Sequence, residues 1–368
     1  MEIKIAQEKL AKALNNVSRV AAGARATLPI LNNALIRVDD NKVSLTASNL
    51  DMAVMSILPA LECKNGVVTV PARLIAEFVS NLPRGEVVEI TADGAKVEVK
   101  AGSCKSTING ALADDFPELP ELDTSKTVQF VMSTDDFKAG LSQVTMAASN
   151  DLTRPALTGI YFNTFEGDLY VAATDGYRLA ERRLAKKVDA EVSAIVPTGS
   201  LQEVLRSLDE SQTEIEILFD GAQVKFRFGT MEITSKLIEG SFPDYRQLIP
   251  KQTEIAVELP KSELVRVTKL AALFAKEVGG SVVCSTSAEK KCFAIAAVAN
   301  ELGENSSELA TDVETDGKVT LNSRFLLDAI NALNGDKVNF GFSNKLDPVV
   351  IKTPSDDDYI HIVMPLKS

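Results

Sequence analysis

The residues that could do covalent chemistry are few. The chain has a single histidine, His361, set in an alternating terminal stretch, Tyr359–Met364. A lone histidine in a strand is more often structural than catalytic, so a histidine triad is not expected, and an HExxH zinc site needs two. No GxxxxGK[ST] loop occurs, and Gly279-Gly280 is too short for a dinucleotide fingerprint. Asp356-Asp357-Asp358 has the ligand type for a cation, but three acids before a strand read as a polar turn. The four cysteines, Cys63, Cys104, Cys284 and Cys292, form no CxxC pair. That argues against a disulfide framework and for a reducing compartment. No metal, cofactor or catalytic residue is expected. Two alternatives stay open: a hydrolase of repeated α+β domains working through carboxylates, of which no pair stands out, and a repeat scaffold.

Binding chemistry is better represented. Lys9, Lys12, Asn16 and Arg19 are spaced i, i+3, i+7, i+10 and so line one stripe of a helix. Arg266, Lys269 and Lys276 repeat the spacing far downstream, whereas Lys138 sits beside Asp135 and Asp136. The net charge is −12, so indiscriminate attraction to nucleic acid is excluded and a local basic stripe is not. Equivalent basic stripes on an acidic protein point to a phosphate-facing surface; the bland reading is a solvated helix face.

The elements that carry these stripes recur. Val70–Leu82, Val196–Leu208 and Leu321–Leu333 align without a gap, each as a strand end followed by an amphipathic helix. Ile75, Phe78, Val79 and Leu82 match Leu201, Val204, Leu205 and Leu208, then Leu326, Ala329, Ile330 and Leu333. The i, i+3, i+4, i+7 spacing puts four side chains on one face. A first helix repeats with the same period, through Leu10, Leu14, Val17 and Ala21, then Phe137, Leu141, Val144 and Ala148, then Leu264, Thr268, Ala271 and Ala275. Thr27–Leu31 and Thr153–Leu157 are each expected to open a strand. Phe116-Pro117 and Phe242-Pro243 close the first two repeats, each before a Pro-bearing linker. Three domains follow: 1–126, 127–253 and 254–368. Hydrophobic content of 45% with no Trp implies aliphatic cores. The amino-terminal stretch reads as a strand rather than a signal peptide, and no apolar run approaches membrane-spanning length. A soluble, cytoplasmic protein is expected.

Four segments, in order on this threefold repeat, resemble the bacterial sliding clamp, the β subunit of the replicative DNA polymerase. They are Arg154-Pro155-Ala156-Leu157-Thr158-Gly159, Ala173-Thr174-Asp175-Gly176-Tyr177-Arg178-Leu179-Ala180, Glu239-Gly240-Ser241-Phe242-Pro243-Asp244-Tyr245-Arg246 and Ile362-Val363-Met364-Pro365-Leu366. The resemblance implies an α+β fold of three repeated clamp-type domains, each with two helices on antiparallel sheets, in a ring-shaped homodimer of pseudo-sixfold symmetry. The ring would encircle duplex DNA without reading its sequence and tether the replicative polymerase. It would have no catalysis of its own and would not touch membrane. A clamp loader and other replication and repair proteins would share one peptide-binding pocket. Its repeat-two wall would be Leu157, Thr174, Gly176, Tyr177, Arg178, Leu179, Pro243 and Leu248. Its repeat-three wall would be Leu346, Pro348, Ile362, Val363, Met364, Pro365 and Leu366, with Arg178 a polar contact at the rim. Leu157 and Leu179 read equally well as core. Lys12, Arg25, Arg73 and Arg154 carry over as DNA contacts. Ile108, Leu273 and Phe274 carry over as the dimer interface. The chain departs from the family at Thr198-Gly199 and Glu277–Gly280, where basic residues are common, and at Ser106, where a bulky apolar residue is common.

Overall fold

The computed structural model describes residues 1–23, 28–118, 121–123 and 125–367, so Arg25 and Thr27 lie outside the described residues. Three times the chain runs from a strand into a helix, through antiparallel strands, into a second helix and out through three more strands. The helices are α1 (Gln7–Gly23) and α2 (Ala72–Ser80), α3 (Thr134–Val144) and α4 (Thr198–Ser207), and α5 (Lys261–Ala275) and α6 (Ser323–Ala332). Their apolar stripes go inward: Leu10, Leu14 and Val17 are fully buried, as are Phe137, Leu141 and Val144, and Leu264 and Ala271. The second helices are only nine or ten residues long. Helices that short are marginal alone, so burial of Ile75 and Val79, Leu201 and Val204, and Leu326 and Ile330 holds them. Asn322 caps α6 by accepting from the N–H groups of Arg324 and Phe325.

The chain folds into two compact units, and the division falls inside repeat two. Unit one contains residues 1–134 and 199–237, unit two residues 135–198 and 238–368. Each unit has an eight-stranded antiparallel sheet that runs across a repeat boundary. In unit one, the repeat-two strand Met231–Lys236 pairs with Met52–Pro59 of repeat one, Met231 opposite Ser56. In unit two, Asp356–Val363 of repeat three pairs with Arg178–Ala185 of repeat two, Arg178 opposite Val363. A five-stranded sheet ends at the edge strand Cys104–Asn109, and a four-stranded sheet begins at the edge strand Gly303–Ala310.

Two features differ from expectation. Pro29–Asn32 and Pro155–Thr158 are single 3-10 turns rather than strand openings, and the strands begin at Asn33 and Gly159. Proline fixes φ and lacks a donor, which suits the first position of a turn closed by Leu31 N–H to Leu28 O and Leu157 N–H to Arg154 O. Gly159 must be glycine, because a Cβ there would meet Val196 O at 2.8 Å. The strands that join repeats, Met52–Pro59 and Arg178–Ala185, are not among those expected from the sequence. Their burial departs from simple alternation: Arg178, Leu179, Ala180 and Glu181 are all buried, which requires both faces of the sheet to be covered there.

Candidate functional site

The joint in unit two builds an apolar surface from a turn, a sheet and a tail. Asp175 Oδ1 accepts from the N–H groups of Tyr177 and Arg178 at 2.8 and 3.0 Å. Thr174 Oγ1 donates to Arg178 O at 2.6 Å and accepts from Gly176 N–H at 3.1 Å. Gly176 has φ of 92°, a conformation costly for any side chain. The turn leaves Tyr177 61% exposed while its carbonyl accepts from Met364 N–H at 2.8 Å. Two residues on, Leu366 N–H donates to Thr320 O at 2.8 Å. The same bond closes the other repeats, Ala111 N–H to Thr69 O and Ile238 N–H to Ile195 O, so the tail is part of the third domain's frame.

Below the turn, Leu179 stands opposite Ile362 in the sheet. Both are buried in one cluster with Ala172 and Tyr245, against which Tyr161, Phe242, Ile249 and Ile360 pack. Leu248 and Leu346 are exposed, Leu248 in the turn Arg246–Leu248 and Leu346 in a turn shaped by its N–H to Asn344 Oδ1 bond of 2.9 Å. Pro243 is exposed, whereas Pro348, Met364, Pro365 and Leu366 are half-buried. Leu157, Thr174 and Val363 are buried, so they and Leu179 belong to the floor rather than the open face. The structure thus pairs or packs together Thr174, Tyr177, Arg178, Leu179, Ile362, Val363 and Met364. Leu157, Pro243, Leu248, Leu346 and Pro348 belong to segments bordering that sheet.

Arg178 is not a rim contact. Its side chain is 8% exposed and tied to Asp175 Oδ2 at 3.0 Å, to Asp328 Oδ2 of α6 at 2.6 Å and to Met146 O, with the guanidinium 4.6 Å over the Phe325 ring. A guanidinium taken out of water needs acceptors, and here each of its three nitrogens finds one within the chain. His361 is fully buried beside Tyr359, whose hydroxyl donates to Gln143 O at 3.0 Å and lies 2.9 Å from His361 Nδ1. Burial depresses His361 to about 3, which keeps it neutral. No cluster of metal-ligating side chains occurs among the described residues, nor any helix long and apolar enough to cross a membrane.

The basic candidates divide. Lys12 is engaged by Asp209, whose carboxyl the bond to Lys12 holds well below its usual range. Arg19 reaches Glu203 Oε1 at 2.6 Å and Ser207 Oγ at 3.0 Å. The stripe on α1 is therefore largely answered by acidic residues within unit one. Arg154 is held by Asp151 at 3.1 Å and reaches Asp175 O at 3.3 Å. Arg73 is exposed on α2 and has no ion pair among the described residues. Of the interface candidates, Leu273 is 54% exposed and Phe274 half-buried on α5, whereas Ile108 is already buried within the chain. Sequence reasoning missed Glu203, Asp209, Glu181, Tyr245 and Asp328. One signal was available: Ser200, Glu203 and Ser207 form a buried polar stripe at i, i+3, i+7 beside the apolar face of α4.

Comparison with known proteins covers the same span. Residues 1–120 match the DNA polymerase III beta subunit, N-terminal domain, residues 131–244 its central domain and residues 246–367 its C-terminal domain. The beta sliding clamp of Staphylococcus epidermidis is 29% identical over 379 residues, with 100% of each chain covered. That of Bacillus subtilis is 27% identical over 381 residues, again with 100% of each covered. Among solved structures, the DNA polymerase III subunit beta from Pseudomonas aeruginosa superposes with a TM-score of 0.94 at 26% identity, covering 100% of both chains. The DNA polymerase sliding clamp from Bacillus subtilis gives 0.93 at 26% identity, covering 100% of this chain and 99% of that one. With all three domains matched in order, this chain belongs to the family of DNA polymerase III beta subunits, the bacterial sliding clamps.

Proposed function

We propose that this chain is a DNA sliding clamp, a processivity factor that encircles duplex DNA and tethers the replicative polymerase, the clamp loader and other replication and repair proteins. It catalyses no reaction itself. Phosphate contacts suit this role because they carry little sequence information. We take the domains as 1–126, 127–253 and 254–368, the compartment as the cytoplasm, and the apolar surface around Tyr177, Leu179, Leu248, Leu346 and Met364 as the partner-peptide site. A solvent-facing apolar patch suits short peptides with a few apolar anchors, and burying one anchor is worth roughly 1.5–3 kcal/mol.

The pattern of strand pairing carries the ring. Within the chain, the last strand of repeat two joins repeat one, and the last strand of repeat three joins repeat two. The same two kinds of strand are left as sheet edges in Cys104–Asn109 and Gly303–Ala310. Unpaired edges are templates for another chain. A second copy, head to tail, would pair both edges and close six repeats into a ring. The register follows from the internal joints. Val97 opposite Ile108 corresponds to Val224 opposite Ser235, which makes Cys104 the counterpart of Met231. Leu45 opposite Ser56 corresponds to Ile295 opposite Ser307. Since Met231 faces Ser56, Cys104 is expected to face Ser307 of the partner subunit.

The neighbouring bonds, Ile57 N–H to Thr230 O and Lys236 N–H to Asp51 O, make Met231–Ser56 a non-hydrogen-bonded pair. Such pairs bring Cα atoms to about 4.5 Å, near enough for a disulfide. Ser307→Cys should therefore form a closed, doubly cross-linked dimer with the native Cys104 on mild oxidation, retained on circular DNA in high salt. A variant that stays uncross-linked while it sediments as a dimer would refute this register. A protein that remains monomeric at micromolar concentration would refute the ring.

A further inference from the structure

Three neighbouring strands in unit two present one face to the linker that follows repeat two. Tyr161, Asn163 and Phe165 lie on Gly159–Phe165, Tyr170 on Asp168–Thr174 and Glu181 on Arg178–Ala185. Alternation places Tyr161, Asn163 and Phe165 on the same side of their strand. Onto this face the end of repeat two and the linker behind it set three side chains. Phe242 stacks on Tyr161 with ring centroids 4.8 Å apart and 10° between planes. The Tyr245 hydroxyl donates to Glu181 Oε2 and accepts from Asn163 Nδ2 at 3.2 Å. Arg246 lies 4.0 Å over the Phe165 ring and 4.4 Å over Tyr170, its Nη2 2.8 Å from Glu181 Oε2. That last contact is off the hydrogen-bonding direction, so it is coulombic and stacking holds the guanidinium in place.

Tyr245 is 3% exposed, Glu181 7% and Asn163 7%. Burial raises both the Tyr245 hydroxyl and the Glu181 carboxyl, with Arg246 opposing each rise. The hydroxyl therefore stays protonated and able to donate at neutral pH. The other charged groups around Glu181 and Arg246 are Arg183, Lys352, Asp357 and Asp358. Asp358 is occupied by Arg183.

This cluster sits under the partner surface. Tyr245 packs in the same buried cluster as Leu179 and Ile362, and Glu181 is two residues along the strand from Leu179. Pro243 and Leu248 flank Tyr245 and Arg246 on one short stretch of linker. Repeat one lacks the receiving face: Leu35, Arg37, Asp39, Ser44 and Met55 stand 126 residues before Tyr161, Asn163, Phe165, Tyr170 and Glu181.

We propose that Tyr245 and Arg246, received by Glu181 and the aromatic face around it, form a latch that fixes the linker edge of the partner surface, Pro243 and Leu248, before any peptide arrives. The two are positioning residues, and the proposal rests on the partner-surface reading above. A groove ordered in advance spares the peptide the cost of ordering it. Losing the latch therefore weakens binding without removing any group the peptide touches.

Tyr245→Phe keeps the ring and deletes the donor, and Arg246→Gln deletes the charge and the stack. A fluorescent short peptide with Leu and Phe anchors is titrated into the full-length dimer. Each variant should bind it roughly five- to tenfold more weakly, the size of one lost hydrogen bond for Tyr245→Phe and of one lost cation–π contact for Arg246→Gln. Without peptide, amide hydrogen exchange should quicken over residues 243–249 and not in the sheet cores, and peptide should restore the protection. A general loss of stability would quicken exchange everywhere and would not be reversed locally. Wild-type affinity and unchanged exchange in both variants would overturn the latch alone. Failure of the wild-type protein to bind the peptide would overturn the partner-surface reading and the latch with it.

Discussion

The two joints between repeats share a backbone and differ in what surrounds it. In unit one, Met52–Pro59 runs against Met231–Lys236, and in unit two Arg178–Ala185 runs against Asp356–Val363. One hydrogen bond even recurs at corresponding places, Lys236 N–H to Asp51 O and Met364 N–H to Tyr177 O. Around the first joint the chain places polar pairs: Lys12 with Asp209, Arg19 with Glu203, Ser200 with Ser235 at 2.7 Å. Around the second it places Leu179, Ile362 and Tyr245 inside, with Tyr177, Leu248 and Leu346 left out in water. Strand pairing is thus common to both joints, and the exposed apolar side chains set the second one apart.

The largest effect should come from the tail. Removing residues 364–368 deletes the bonds from Met364 to Tyr177 and from Leu366 to Thr320 along with the apolar side chains. Binding of a Leu/Phe peptide is expected to vanish in a fluorescence titration, with the dimer retained on sedimentation. Two lost backbone bonds should also lower unfolding free energy by about 2 kcal/mol. Truncation that left peptide affinity unchanged would make the two joints functionally alike and move the partner site elsewhere.

The second joint should also be the one that responds between pH 7 and pH 5. His361 lies beneath it, fully buried, with its folded-state value depressed to about 3 from 6.5. A depressed base stays neutral when folded and takes up a proton on unfolding. Its contribution is therefore complete above about pH 6.5 and declines as pH falls towards 3. Between pH 7 and pH 5 the loss should be about 2 kcal/mol, and His361→Gln should flatten that slope in urea titrations. An equal slope in both proteins would show that the acid response arises elsewhere.

Much of this was legible in sequence, and the illegible part has a consistent cause. The six helices and the threefold period came from apolar spacing, because burial of one face is a local demand that each helix meets by itself. The joining strands did not, since Arg178–Ala185 is buried on both faces for half its length and shows no alternation there. Arg178 is expected from sequence at the rim and is instead buried among Asp175, Asp328 and Met146. Nothing near it in sequence announces Asp328, which lies 150 residues away. Lys12 shows the same limit, because the Asp209 that pairs with it is 197 residues distant. Charge spacing along one helix shows which side chains share a face, and not what that face meets.

The smallest effect separates the basic residues. Lys12 belongs to the first joint and is held by Asp209, whereas Arg73 projects from α2 with no ion pair among the described residues. A cation already paired has less attraction to offer a phosphate, and its release would leave the carboxylate unanswered. Arg73→Ala should therefore lower the slope of log affinity against log salt by about one phosphate's worth, equally for all DNA sequences. Lys12→Ala should change that slope less while lowering thermal stability slightly, since an exposed pair contributes about 0.2–1 kcal/mol. The measurement is a salt series of duplex binding with wild type and both variants. If Lys12→Ala lowers the slope as much as Arg73→Ala, Lys12 leaves Asp209 for phosphate when DNA is present. The first joint would then share the DNA surface rather than only brace it.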